Sequence, residues 1–269
     1  MSEEGKRFHI GEYAIDVIVH GFPGKSVCHG SLGFSTIVLI RHRDRVALVD
    51  VGSFGQRFLL LDQFARRGLD PSQITDVLLT HSHYDHALNW VMFPEARIVI
   101  GHEELDWSLE QPWGRTVVPE LYMRELERWP TLHRAVDGEE VFPGITAHIA
   151  PGHTPGSMVF VLDAGERDLV FTGDACKNRA ELLSRGADMT YDAAVSQASI
   201  EAIWSLWTRR AGSFLIPGHD LPMVQHEGEP RYLGRREAGI RAWYGEDLDE
   251  TRVFSLLPES GSMRKSTAA

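Results

Sequence analysis

The segment His81-Ser82-His83-Tyr84-Asp85-His86 puts four potential ligand side chains into six residues, just after the apolar run 77–79 and Thr80. Imidazoles brought together resist protonation, and a carboxylate among them favours a cation close by. Such crowding destabilises a folded chain unless a metal ion compensates it. The mix of imidazole and carboxylate suits zinc, with iron or manganese as alternatives. With 13 histidines in 269 residues, chance spacing gives this cluster in roughly one chain in a thousand. The fold must therefore present this turn on something rigid.

Three further sites share its local grammar. His153 lies in Pro151-Gly152-His153-Thr154-Pro155-Gly156, after the strand-like run 145–149. Asp174 lies in Thr172-Gly173-Asp174-Ala175 after 169–171, and His219 in Pro217-Gly218-His219-Asp220 after 214–216. In each, a side chain able to bind metal stands just past an apolar strand with glycine before it. Rigid scaffolds place functional groups in such strand-end loops. A lone histidine after glycine is usually a surface turn, but four sites with one pattern are not independent accidents.

Further strand-length runs bounded by Gly, Pro, Asp or His occur at 14–19, 36–40, 46–49, 97–100 and 158–162. Spacing predicts a helix over 55–67 with Phe58, Leu61 and Ala65 on one face. It predicts another over 193–208 with Val195, Ile200, Ile203 and Leu206 together, and a shorter one over 120–128. A hairpin-rich block of strands leads into mixed strands and helices, and the second half repeats that habit. The pattern favours an α+β class of packed sheets with helices outside over a doubly wound sheet.

At 43% hydrophobic the chain can bury a large core without disulfides. No linker-like run or solenoid-period repeat divides it. One domain is expected over 1–257, with a disordered tail over 258–269. The net charge of -11 argues against nucleic acid as the main partner. The basic cluster Arg231, Arg235, Arg236 and Arg241 is expected to be a solvated helix face. Residues 1–11 lack the apolar stretch of a signal peptide, and no run approaches the ~20 apolar residues that span a bilayer. Cys28 and Cys176 make no disulfide framework. These features predict a cytoplasmic protein with reduced thiols and no membrane partner.

His81-x-His83-x-Asp85-His86, followed by His153, Asp174 and His219, resembles the metallo-β-lactamase superfamily. The resemblance is to the branch containing glyoxalase II and the N-acyl-homoserine lactonases. Val49-Asp50-Val51-Gly52 matches an early Asp-x-Gly turn, and the matching segments run from Thr36 to His219. The resemblance implies a four-layer αβ/βα sandwich, two mixed β-sheets flanked by helices, with two divalent metal ions at one edge. It implies that His81, His83 and His153 hold one ion, that Asp85, His86 and His219 hold the other, and that Asp174 bridges both. Asp50 would orient a ligand histidine or the loop beneath it. Two ions ~3.5–4 Å apart can share a water and lower its pKa from ~15.7 toward neutrality, giving a hydroxide that attacks a carbonyl. Asp85 would relay the proton to the leaving group. The implied activity is hydrolysis of an activated carbonyl in a small molecule, with lactones and esters ahead of thioesters and β-lactams.

The chain departs from the best-known lactonases at Lys177, where they carry a tyrosine three residues after the bridging aspartate. A lysine at similar spacing in some β-lactamases grips a substrate carboxylate, which makes Lys177 a candidate for an anionic substrate group. Asn178 is a candidate oxyanion donor, and Cys176 reads as small buried filler. The glycine-rich stretch 21–33, with Phe22, Cys28 and His29, stands where family members have a flap. Trp107, Trp113, Tyr122 and Trp129 fall in an insertion, 103–136. It either covers the pocket and favours an acyl-bearing substrate or packs into the core or a homodimer interface. The same motif occurs in an iron-dependent sulfur dioxygenase and in RNA-processing nucleases, and the acidic balance weighs against the latter. The stretch after His219 is too short for the helical C-terminal domain of full glyoxalase II proteins.

Overall fold

Strands that are apolar at nearly every position belong in sheets covered on both faces, and the central strands of this chain read that way. The computed structural model describes residues 7–26 and 30–257. Its backbone divides into two compact units, Met1–Gly234 and Arg235–Ala269.

In the first unit, one seven-stranded sheet runs in the spatial order Arg7–Ile10, Tyr13–Val19, Ile37–His42, Arg45–Val49, Asp76–Leu78, Arg97–Gly101 and Leu132–Ala135. Its pairs are antiparallel up to Arg45–Val49 and parallel beyond it. The second seven-stranded sheet runs Glu140–Phe142, Ile145–Ile149, Met158–Asp163, Asp168–Gly173, Phe214–Pro217, Met223–His226 and Glu229–Tyr232. Only Asp168–Gly173 and Phe214–Pro217 pair in parallel there.

Strand alternation sorts the apolar side chains into layers. Val38 and Ile40 join Phe142, Phe160 and Phe171 in the core between the sheets, while Ile37 and Leu39 point to the opposite face. Helices Arg57–Ala65, His102–Leu109 and Glu120–Leu126 cover that outer face with Leu60, Phe64, Leu105, Met123 and Leu126. On the second sheet Val159 and Val161 meet Leu182, Ile200, Ile203 and Trp207 of helices Arg179–Ser184 and Ala193–Thr208. The result is the four-layer αβ/βα sandwich. No described helix is long and apolar enough to cross a membrane.

Two helix faces differ from the expectation. In Arg57–Ala65 the buried residues are Leu60 and Phe64, whereas Phe58 is 84% exposed and Leu61 42%. Three consecutive leucines leave the periodicity ambiguous, and the i, i+4 pair with greater apolar volume, Leu60/Phe64, takes the core over Leu61/Ala65. Helix Ala193–Thr208 buries Ile200 and Ile203 as expected but adds Trp207, leaving Val195 exposed and Leu206 half-buried. The basic cluster is not a helix face. Arg231 lies in strand Glu229–Tyr232, and Arg241 lies in the second unit, in the hairpin pairing Gly239–Trp243 with Thr251–Ser255. Alternation in these short strands was masked by their charged residues. Cys28, His29 and the tail 258–269 lie outside the described residues.

Strand direction places the site. Arg45–Val49 and Asp76–Leu78 are parallel, so Asp50 and the 80–86 segment leave the first sheet at the same end. Ile145–Ile149 is antiparallel to Met158–Asp163, which is antiparallel to Asp168–Gly173, itself parallel to Phe214–Pro217. His153, Asp174 and His219 therefore follow the C-terminal ends of strands that run one way, where open sheets commonly bind ligands. As a check on the layers, Phe160→Ala should lower stability by about 3–5 kcal/mol, while Phe58→Ala should stay within about 0.5 kcal/mol. Urea denaturation of both variants measures this, and equal losses would contradict the assigned helix face.

Candidate metal centre

Asp50 follows strand Arg45–Val49 in a left-handed conformation (φ 55°), which aspartate tolerates better than most residues. Its buried carboxylate accepts from Thr80 N at 2.8 Å and from His86 Nδ1 at 2.8 Å. Thr80 Oγ1 donates to Asp50 at 2.9 Å and in turn accepts from His81 Nδ1 at 3.1 Å. Asp50 thus orients His86 directly and His81 through Thr80, leaving each ring's Nε2 lone pair for the site. His153 Nδ1 donates to the Met189 carbonyl at 3.1 Å, which does the same for that ring.

The aimed atoms converge. His86 Nε2, His219 Nε2 and Asp174 Oδ1 lie 3.1 to 3.2 Å from one another. Asp85 Oδ2 approaches the same two nitrogens at 3.7 and 3.4 Å. The other Asp174 oxygen, Oδ2, lies 3.3 Å from His153 Nε2, which is 2.9 Å from His83 Nδ1. His81, His83 and His153 form one group with ligand atoms within 4.8 Å, Asp85, His86 and His219 form another, and His81, His86 and Asp174 form a third that joins them. Gly218 permits the approach, since a Cβ there would overlap Asp174 Oδ1.

The donor set fits metal. His81 Nε2 and Asp174 Oδ1 are buried, and neither has a hydrogen-bond partner of good geometry. Buried polar atoms are rarely left so without a reason. Bonds of ~2.0–2.1 Å to a tetrahedral zinc ion set ligand atoms about 3.3 Å apart, which is close to the spacings around Asp174 Oδ1. Burial holds His81 well below the usual imidazole range and pulls His83 down to about 4 and His153 to about 3. These rings stay neutral, as metal ligands must. Burial is the largest single influence on His86 and His219 and opposes their charge, but Asp174 and Asp85 together, joined by Asp50 at His86, raise both. Asp174, despite burial, is held well below the carboxylate range by His219, His86 and His153.

A cavity of about 800 Å³ opens over the centre, lined by His83, Asp85, His153, Asp174 and His219. Its wall includes Trp107, Val117, Met189 and Tyr191. Of the four aromatics in 103–136, only Trp107 reaches it, 6.2 Å from the His83 ring. Trp129 packs edge-on against Trp90, Tyr122 meets Phe54, and Trp113 is exposed under Arg124. From the 21–33 stretch, Pro23, Gly24, Lys25, Ser31 and Gly33 line the opening. Lys177 Nζ pairs with Glu181 at 2.8 Å and donates to the Asp188 carbonyl at 2.6 Å. Asn178 caps helix Arg179–Ser184, its side-chain oxygen accepting from Ala180 N and Glu181 N. Cys176 is fully buried, and burial pushes its thiol up, as suits an inert filler. The sequence reading missed Met189, Tyr191 and the buried Glu104. The first two sit in an unpatterned stretch, and nothing marks a glutamate in a first helical turn as buried.

Comparison with known proteins agrees with this geometry. Residues 30–219 match the family model of the Metallo-beta-lactamase superfamily, and the chain belongs to that superfamily, whose members are metal-dependent hydrolases. It is similar to metallo-beta-lactamase domain-containing protein 1 of Rattus norvegicus, 28% identical over 177 residues, covering 65% of this chain and 61% of the relative. It is also similar to an N-acyl homoserine lactonase of Bacillus thuringiensis, 23% identical over 158 residues, covering 58% of this chain and 60% of that one. The match thus spans less than two thirds of each of these relatives. Among solved structures, a dizinc quorum-quenching lactonase in complex with an N-acyl-homoserine product superposes with a TM-score of 0.67. Its identity is 18%, over 86% of this chain and 97% of the other, a likeness of fold. As a test of the centre, Asp50→Ala removes the acceptor of Thr80 and His86 and should weaken metal retention ~10–100-fold. Chelator competition measures the loss, and unchanged retention would contradict the orienting role.

Proposed function

We propose that the chain hydrolyses an uncharged carbonyl compound, a lactone or ester ahead of a thioester, using two divalent ions held by His81, His83, Asp85, His86, His153, Asp174 and His219. The observation that carries this reading is the division of Asp174, with Oδ2 at 3.3 Å from His153 and Oδ1 at 3.1 Å from His86. One carboxylate whose two oxygens turn to different imidazoles is what a bridging ligand requires. The mixed nitrogen and oxygen donors favour zinc.

Bound there, such ions would supply an acidified water and Lewis-acid polarisation of a carbonyl. The chain's own residues would do the rest. Asp85, at the cavity with its side chain 15% exposed, would take the proton from the attacking water and return it to the leaving group. Asn178, its oxygen fixed by the helix cap, keeps its amide N–H groups for a developing oxyanion. Trp107, Val117, Met189 and Tyr191 would pack an apolar acyl group and exclude water.

Both lysines at the cavity are already met by carboxylates, Lys177 by Glu181 and Lys25 by Asp188. Each ammonium's charge is thereby partly answered, which weakens its pull on a substrate carboxylate and favours an uncharged substrate over a β-lactam. A lactonase among the structural neighbours, seen with an acyl-homoserine product, supports the same choice.

Elemental analysis paired with a hydrolysis panel of lactones, esters, thioesters, β-lactams and RNA tests the reading. Two zinc equivalents per chain and turnover of uncharged lactones or esters are expected. Iron with oxygen uptake, or cleavage of RNA, would overturn it. Asp174→Ala should lose most bound metal and nearly all turnover, and a fully active variant would contradict the bridging role. Lys177→Ala should change KM for uncharged substrates less than threefold, since its charge is already paired; a selective loss for anionic substrates would restore it as an anion anchor.

A further inference from the structure

The three-histidine group is assembled from loops of different sheets, and one buried carboxylate joins those loops. Glu104, in the first turn of helix His102–Leu109, is 0% exposed. Its Oε1 accepts from Ser82 N at 2.8 Å and from Ser82 Oγ at 2.6 Å. Its Oε2 accepts from Thr154 Oγ1 at 2.6 Å. Ser82 stands between His81 and His83, and Thr154 follows His153. Thr154 is tied onward to Ser157 Oγ at 2.5 Å. Gly156 lets the turn settle on the start of the helix, since a Cβ there would overlap Glu104's backbone.

The partners of Glu104, which are Ser82, Thr154 and the Gly156 backbone, are neutral, and Ser82, Thr154 and Ser157 are themselves at most 1% exposed. A buried carboxylate without a counter-charge is unfavourable. Both residues it holds are next to the three histidines in the chain, and a cation held there would supply one. The other ligand group is tied differently. His86 bonds Asp50, and beside His219 the buried Asp220 accepts from Arg179 N and Tyr232 Oη.

We propose that Glu104 is a positioning residue for the three-histidine ion. It locks the 81–83 and 153–157 loops in register, and its negative charge makes that pocket more receptive to a cation than the Asp85, His86 and His219 group. The proposal rests on the two-metal reading above. It predicts a selective effect, where a merely structural role would loosen both groups alike.

The test titrates Co2+ into the metal-free full-length chain, following visible absorption and metal stoichiometry, for wild type, Glu104→Gln and Thr154→Val. Wild type should take two equivalents. Glu104→Gln should keep one tight equivalent and bind the other ~10–100-fold more weakly, with Thr154→Val intermediate. Hydrogen exchange of the metal-free proteins should show peptides over 81–83 and 153–157 opening together in Glu104→Gln, with those around His219 unchanged. If Glu104→Gln does not fold, Thr154→Val and Ser82→Ala, each removing one arm, carry the same measurements. Two wild-type-like equivalents in the variants, or equal weakening of both, would overturn the proposal. Fewer than two equivalents in wild type would instead sink the two-metal reading, and exchange of the two loops would then decide the clamp alone.

Discussion

Asp174 is buried among imidazoles that come from both sheets. Its carboxylate is tolerable there only because those rings, or cations they hold, answer its charge. The inter-sheet core of Phe142, Phe160 and Phe171 therefore has a task beyond stability. It must hold strand Asp168–Gly173 against the first sheet closely enough that Asp174 Oδ1 meets His86 Nε2 at 3.1 Å. Close packing of an interior of this kind transmits small displacements, so the centre inherits its geometry from apolar side chains that never touch it.

The candidate ligand positions stand out in the sequence because each follows an apolar strand and sits in a short turn, a local pattern that needs no tertiary knowledge. The runs 158–162 and 214–216 read as strands because both their faces are covered, leaving no polar interruption, and 145–149 because its apolar residues alternate with Thr146 and His148. Strands Leu132–Ala135 and Glu140–Phe142 were not legible, since they carry charged residues and are only three or four residues long. The face of helix Arg57–Ala65 was misread because three adjacent leucines satisfy more than one register.

What lines a cavity or lies beneath a loop depends on chain segments far apart in sequence. Tyr191 and Met189 reach the cavity beside the candidate ligands only through the path of an irregular loop. Glu104 looks like an ordinary acidic residue favoured at a helix N-terminus, and only the tertiary fold brings Ser82 and Thr154 onto it. The Lys177–Glu181 pair was accessible in principle through its i, i+4 spacing. Its consequence, a lysine whose charge is already answered at the cavity, needed the structure.

One detail of the strand-end turn at Asp50 reaches further than its size suggests. A single side chain steadies a ring in each ligand group, His86 by direct contact and His81 by way of a threonine hydroxyl. The two halves of the centre therefore share one keel. A displacement of that keel would bear on both rings at once, so the spacing between them depends on one strand-end turn.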